Sequence, residues 1–241
     1  MENEQIKKTE IVVVLDRSGS MGTIAQSTVD GFNTFLNEQK NAALADDTFF
    51  TLVQFDDQYE VNYKNIPVKD ASELINGETY IPRGTTALYT SIGRTINELD
   101  TDRDVVFVII TDGHDNVKSE YNASSIKKMI ETLEKENGYK FLFLAANQDA
   151  IISGGSMGIK STNSVSYAAT ADGIGNTFYA MSANLTNYRS AKSKVSRSGY
   201  EEYLAENLDK SIEYSEYVAE TTKKSLESLN FTEEQRKKSS E

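Results

Sequence analysis

"VVVLDRSGSMG", residues 12–22, decides the architecture of this chain. With Ile11 in front, its first residues make an unbroken β-branched and aliphatic run, IVVVL, that offers no polar position to water. A strand apolar on both faces belongs to a parallel sheet covered on two sides, not to a half-exposed antiparallel one. The run ends in Asp16, and Ser18 and Ser20 follow at alternate positions around Gly19. In an open parallel sheet such a loop lies at the carboxyl edge, where ligands bind. Alternate side chains of a loop curling over a strand end converge on one point, and Gly19 permits the tight backbone. Three hard oxygens converging there point at a cation.

Outward from this stretch, short apolar runs alternate with amphipathic ones. Ile24, Val29, Phe32, Phe35 and Leu36 keep helical spacing over Thr23–Lys40. TFFTLVQF (48–55) reads as a second buried strand, and YEVNYKNI (59–66) alternates like an edge strand. A helix is predicted from Thr86 to Leu99, and DVVFVII (104–110) is another buried strand, ending in the polar loop TDGHDN. Residues 122–136 read as helix, YKFLFLAA (139–146) as strand, 149–153 as a short helix, 164–168 as strand and 174–188 as helix. Strands alternating with helices predict an α/β fold: a doubly wound, mostly parallel, Rossmann-like sheet with helices on both faces.

After Tyr188 the character changes. Residues 189–241 hold no strand-like run and carry ten basic and eleven acidic side chains, so nearly all of the net charge of −12 falls on the earlier part. The division expected is therefore a domain over 1–188 and a charged amphipathic helical extension over 189–241. Leu204, Leu208 and Ile212 are spaced four apart; after a break at Glu216 a second stripe follows with Val218, Thr222, Leu226 and Leu229. This predicts one long or two shorter helices, either docked on their own domain or serving as an oligomerising or partner-binding arm. The end, RKKSSE, is expected to fray.

Composition removes several function classes. With no cysteine among 241 residues, a disulfide scaffold, a thiolate nucleophile and a cysteine zinc site are excluded. Net charge −12 argues against nucleic acid, which needs clustered Lys and Arg. No run approaches the roughly 18 apolar residues of a membrane span, and MENEQIKKTE lacks the apolar segment of a secretory signal. A cytoplasmic protein is expected. Enzyme motifs are weak. Neither GxxxxGK[ST] nor GxGxxG occurs, and position 18 is serine where a phosphoryl-transferring DxD would need aspartate. GGSMG (154–158) fits G-x-S-x-G by letter, with Ser156 as nucleophile, but it follows a predicted helix and no histidine comes after it. The single histidine, His114, lies two residues beyond Asp112 and reads as a rim residue.

"DRSGSM" at a strand end, "GTTAL" at 84–88 and "VIITDG" at 108–113 resemble the metal-ion-dependent adhesion site (MIDAS) of von Willebrand factor A domains. The family pattern, Asp-x-Ser-x-Ser, then Thr, then Asp, is matched in order by Asp16, Ser18, Ser20, Thr86 and Asp112 over a resemblance covering roughly residues 8–188. Thr86 is preferred to Thr85 because it directly precedes Ala-Leu at a helix start. The wording also resembles small bacterial and phage members encoded with tellurium-resistance genes, although Thr90 stands where many have aspartate. The resemblance implies a divalent ion, Mg²⁺ or Mn²⁺, held by Ser18, Ser20 and Thr86 with Asp16 and Asp112 close by. It implies a binding module, not an enzyme, whose metal bridges to an acidic residue of a partner protein. Two alternatives stay open: a scaffold acting through the C-terminal helices with a structural metal, and a metal-assisted hydrolase.

Overall fold

The computed structural model describes residues 8–146, 149–207 and 212–241. Its centre is the stretch quoted above: β1 (Thr9–Asp16) is buried along its whole length between two parallel neighbours, β2 (Thr48–Phe55) and β4 (Asp104–Thr111). With β3 (Tyr59–Pro67), β5 (Lys140–Ala146) and β6 (Ser164–Tyr167) they make a six-stranded sheet of order β3-β2-β1-β4-β5-β6. Only β3 runs antiparallel, at the edge, as its alternation predicts.

The period of two along each central strand feeds two separate cores. Ile11, Val13 and Leu15 pack with Phe32, Phe35 and Leu36 of α1 (Ala25–Asn41) and with Phe178, Met181 and Leu185 of α5 (Ala171–Ser193). Val12 and Val14 pack with Leu88 and Ile92 of α2 (Leu88–Glu98) and with Ile126 and Ile130 of α3 (Ala123–Glu136). Each such side chain, fully buried, contributes about 1.5–3 kcal/mol. The sandwich is the doubly wound α/β fold expected. Helices α1 and α5 approach so closely that a Cβ at Gly31 would enter the Phe178 ring.

Several boundaries move, each for a local reason. A 3₁₀ turn (Gly19–Ile24) precedes α1. The short helix α4 (Ala150–Ser156) is capped by Asp149, whose carboxylate accepts the amides of Ile151 and Ile152. The helix expected over 174–188 begins earlier, capped by Thr170 at Gly173, and runs on to Ser193. Its last turns are anchored: Tyr188 donates to Asp104, and buried Arg189 donates to Gln39 and Thr48.

The chain continues as α6 (Arg197–Glu206), α7 (Tyr214–Glu227) and α8 (Glu233–Ser239). Glu216 is not a break; it lies in the first turn of α7, and the interruption falls after Glu206. Leu208, one of the expected stripe, lies outside the described residues. The buried side of α7 is Tyr217 and Ser225, one position before the apolar stripe, and Leu226 is 40% exposed. Helix α7 packs on α5, and of the second expected stripe Leu229 alone, just past the helix end, is buried, beside Phe231. The terminal segment is not frayed either. A Thr232–Gln235 capping box starts α8, Arg236 donates to the carbonyls of Ser161, Thr162 and Ser164, and the carbonyl of Ser239 accepts the amide of Ala168.

Candidate metal centre

The carboxyl ends of β1 and β4 lie side by side, and the hydrogen bonds there join them. Asp16 closes β1 with no exposed surface. Its Oδ1 accepts the Ser18 amide at 2.6 Å and its Oδ2 accepts the hydroxyl of Thr111, the last residue of β4, at 2.6 Å. The Tyr80 hydroxyl donates to the Asp16 carbonyl at 2.8 Å. The Ser18 and Ser20 hydroxyls are 3.2 Å apart, and Ser20 donates to Asp112 Oδ1 at 2.6 Å. Ser18 is buried and Ser20 exposed, so the group opens to solvent on the Ser20 side.

Thr86 arrives from a loop. Its amide donates to Asn116 Oδ1 at 2.8 Å and its carbonyl accepts the Asn116 amide at 3.0 Å, stitching it to the loop after β4. A Cβ on Gly113 would sit 3.3 Å from Thr86 Oγ1 and 4.0 Å from Ser20 Oγ, so the glycine leaves room where these hydroxyls meet. Thr86 is buried and Thr85 exposed. Helix α2 starts at Leu88 and not at Thr86 because Ala87 is non-helical, with φ −91° and ψ 56°; the Thr86 amide goes to Asn116 and the Ala87 amide to the Asp56 carbonyl at 2.9 Å. Asp115 takes the capping role, accepting the Tyr89 amide at 3.0 Å. Asp16, Ser18, Ser20, Thr86 and Asp112 thus sit at one rim. Asn116, Thr111 and Tyr80 are the supporting residues; the first two lie in the quoted TDGHDN loop, but nothing in the sequence marks Tyr80.

Electrostatically the rim is short of positive charge. Burial pushes the Asp16 carboxyl up to about 6, against the opposing hydrogen bonds from Thr111 and Ser18. Burial also raises Asp112, against the Ser20 hydroxyl. Among the described residues neither carboxylate forms an ion pair, and Arg17, between Asp16 and Ser18, turns away to Asp56 and Glu60. Hydroxyls and carboxylates lacking a base fit a hard divalent ion such as Mg²⁺ or Mn²⁺. Among the described residues no group of three or more His, Asp or Glu is placed to hold a metal, so any ion here would depend on the hydroxyls. His114 is exposed beside the rim. Ser156 ends α4 and donates to the Ser153 carbonyl at 2.7 Å, far in kind from a nucleophile at a strand-to-helix turn.

A family model described as the von Willebrand factor type A domain matches residues 10–172. No curated protein matches the chain by sequence. Among solved structures, the pilus adhesin SpaC from Lactobacillus rhamnosus GG is 14% identical, covering 77% of this chain and 31% of its own, with TM-score 0.61. Proximal thread matrix protein 1 from the mussel byssus, with a zinc-occupied MIDAS motif, is 15% identical over 72% of this chain and 44% of its own, with TM-score 0.53. The ArnB paralog VWA2 from Sulfolobus acidocaldarius is 14% identical over 75% and 46%, with TM-score 0.50. At these identities the likeness is one of fold. The chain spans less than half the length of each of the three.

Proposed function

We propose that this chain, which belongs to the von Willebrand factor type A family, is a divalent-metal-dependent protein-binding module that takes an acidic residue of a partner protein. Domains of the family are in general metal-dependent adhesion and protein-interaction modules. Ser18, Ser20 and Thr86 are the hydroxyl donors we assign to Mg²⁺ or Mn²⁺, with Asp16 and Asp112 beside them. The ion, when bound, supplies a positive centre for a carboxylate oxygen from the partner. The chain's own residues do the rest. The two carboxylates provide negative charge without filling every direction, the Thr111 and Ser18 bonds fix Asp16, and the open Ser20 side admits the partner. On an acidic surface a bridging cation converts repulsion of an acidic partner into attraction.

One observation carries this reading: two buried carboxylates that, among the described residues, have no base, beside hydroxyls, at a single rim. The remaining parts of the proposal are a cytoplasmic, non-enzymatic protein of bacterial or phage type, akin to those of tellurium-resistance clusters, that binds neither nucleic acid nor membrane. No helix among the described residues is long and apolar enough to cross a membrane. Titration calorimetry of the full chain with MnCl₂ and MgCl₂ tests the site: heat of binding is expected for the wild type and none for Ser20→Ala. Capture of a partner should be lost in chelator and restored by Mn²⁺. The exposed Leu226 of α7 favours the scaffold reading instead; under it, Leu226→Asp and not Ser20→Ala abolishes capture.

A further inference from the structure

Asp56 follows β2 directly and has no exposed surface. Yet its carboxylate and carbonyl tie it to the two loops that flank the candidate metal site. Its Oδ2 accepts Arg17 Nε at 3.0 Å and Arg83 Nε at 2.9 Å; its Oδ1 accepts the Gln58 amide at 2.6 Å; its carbonyl accepts the Ala87 amide at 2.9 Å. Arg17 separates Asp16 from Ser18, and its Nη1 also reaches Glu60 Oε2 at 2.6 Å. Arg83 lies three residues before Thr86. The two arginine-bearing loops are joined by backbone as well: the Arg83 amide donates to the Arg17 carbonyl at 2.8 Å and the Gly19 amide to the Gly84 carbonyl at 3.2 Å. Gly84 turns with φ +64°, and a Cβ there would collide with the Asp57 carboxylate.

Thr86 lies in a loop outside any strand or helix, so its place is set by tertiary ties: the two Asn116 bonds on its own backbone and, just before and after it, the Arg83 and Ala87 bonds to Asp56. A small hard ion tolerates little error in donor geometry, and a site is only as precise as the contacts behind its ligands. Arg17 adds a second requirement, because a guanidinium next in sequence to Asp16 would compete with the ion if it swung to the rim. We propose that Asp56 is a positioning residue of the cation site, acting through Arg17 and Arg83: one carboxylate holds the Thr86 loop against the Asp16–Ser20 loop and keeps the Arg17 charge off the rim. This rests on the cation reading above.

Arg83 is the residue to change, since its side chain is half exposed and the buried Arg17–Asp56 pair survives its loss. Arg83→Met should weaken Mn²⁺ binding by about tenfold in calorimetry while Tm of the metal-free protein stays that of the wild type. Arg83→Lys, which can still reach Asp56 as a point charge, should recover Mn²⁺ affinity to within about threefold of wild type. In the metal-free protein, hydrogen exchange at the Gly19 and Ala87 amides should quicken in Arg83→Met and not in Arg83→Lys. Wild-type Mn²⁺ affinity and unchanged exchange in Arg83→Met would overturn the clamp and leave the metal reading standing. No Mn²⁺ heat from the wild type would defeat the metal reading, and the exchange measurement would then decide the clamp alone.

Discussion

The same two strands carry buried acids at both ends and treat them differently. At their amino ends, β1 and β4 hold Glu10 and Asp104, and the chain answers both with its own bases. Lys192 Nζ is 2.5 Å from Asp104, which also accepts the Tyr188 hydroxyl at 2.7 Å, and Arg103 Nη1 lies 3.7 Å from Glu10, itself bonded to Thr51 at 2.7 Å. At the carboxyl edge Asp16 and Asp112 meet hydroxyls and amides but, among the described residues, no base. A carboxylate without a base is costly to bury, and Asp16 records the cost in its raised pKa. Nothing in the fold demands that cost, since the opposite end shows the chain can pair its acids. The difference is what the cation reading proposed above rests on: one end pairs its acids with bases, and the other leaves them to hydroxyls and amides.

Four measurements would break or sharpen that contrast. Asp104→Asn removes one partner of a buried pair and should lower unfolding free energy in denaturant by about 3 kcal/mol; a loss below about 0.5 kcal/mol would show that the amino end is not held by pairing. The second exploits pH in chelator. The Asp16 pKa of about 6 lies above its ordinary 3.8, so the folded state holds a proton that the unfolded chain has released. Metal-free stability should therefore be lowest above about pH 6 and rise as pH falls toward about 4, by up to about 3 kcal/mol; saturating Mn²⁺ should remove the rise. Third, Thr86→Ala should weaken Mn²⁺ binding by about tenfold or more, and Thr85→Ala should not; calorimetry on the pair fixes which threonine serves the site. The smallest effect belongs to Asp112→Asn without metal. Losing an unpaired buried charge should leave Tm unchanged or slightly higher, while the rise in Tm on adding Mn²⁺ disappears. A marked fall in metal-free Tm would mean Asp112 is paired after all.

Legibility followed burial. β1, β4 and β5 are covered on both faces, so their runs are apolar without interruption and could be read within a residue or two. Asp16, Ser18 and Ser20 were legible because they share one loop at one strand end, and Asp112 because it directly follows a second such strand. The registers that slipped were those with weak local signals. On α7 the docked face is Tyr217 and Ser225, one position before the expected stripe, of which Leu229 alone, just past the helix end, is buried, beside Phe231. Helix α2 starts two residues late because Ala87 is non-helical, in a turn tied to Asn116 and Asp56, 30 and 31 residues away in opposite directions along the chain.

Hydrophobic periodicity, the abrupt Asp16 and the hard-oxygen loops determined on their own that a parallel sheet would present carboxylates and hydroxyls at its carboxyl edge. That much is local, because strand period and loop composition are properties of neighbouring residues. Tertiary structure alone decided that Thr111 would bind the Asp16 carboxylate, that Asp56 would gather Arg17 and Arg83, and that the bases would go to Glu10 and Asp104. Those choices join residues tens of positions apart, and only the packed sheet brings such residues within the few ångströms over which a hydrogen bond or an ion pair acts.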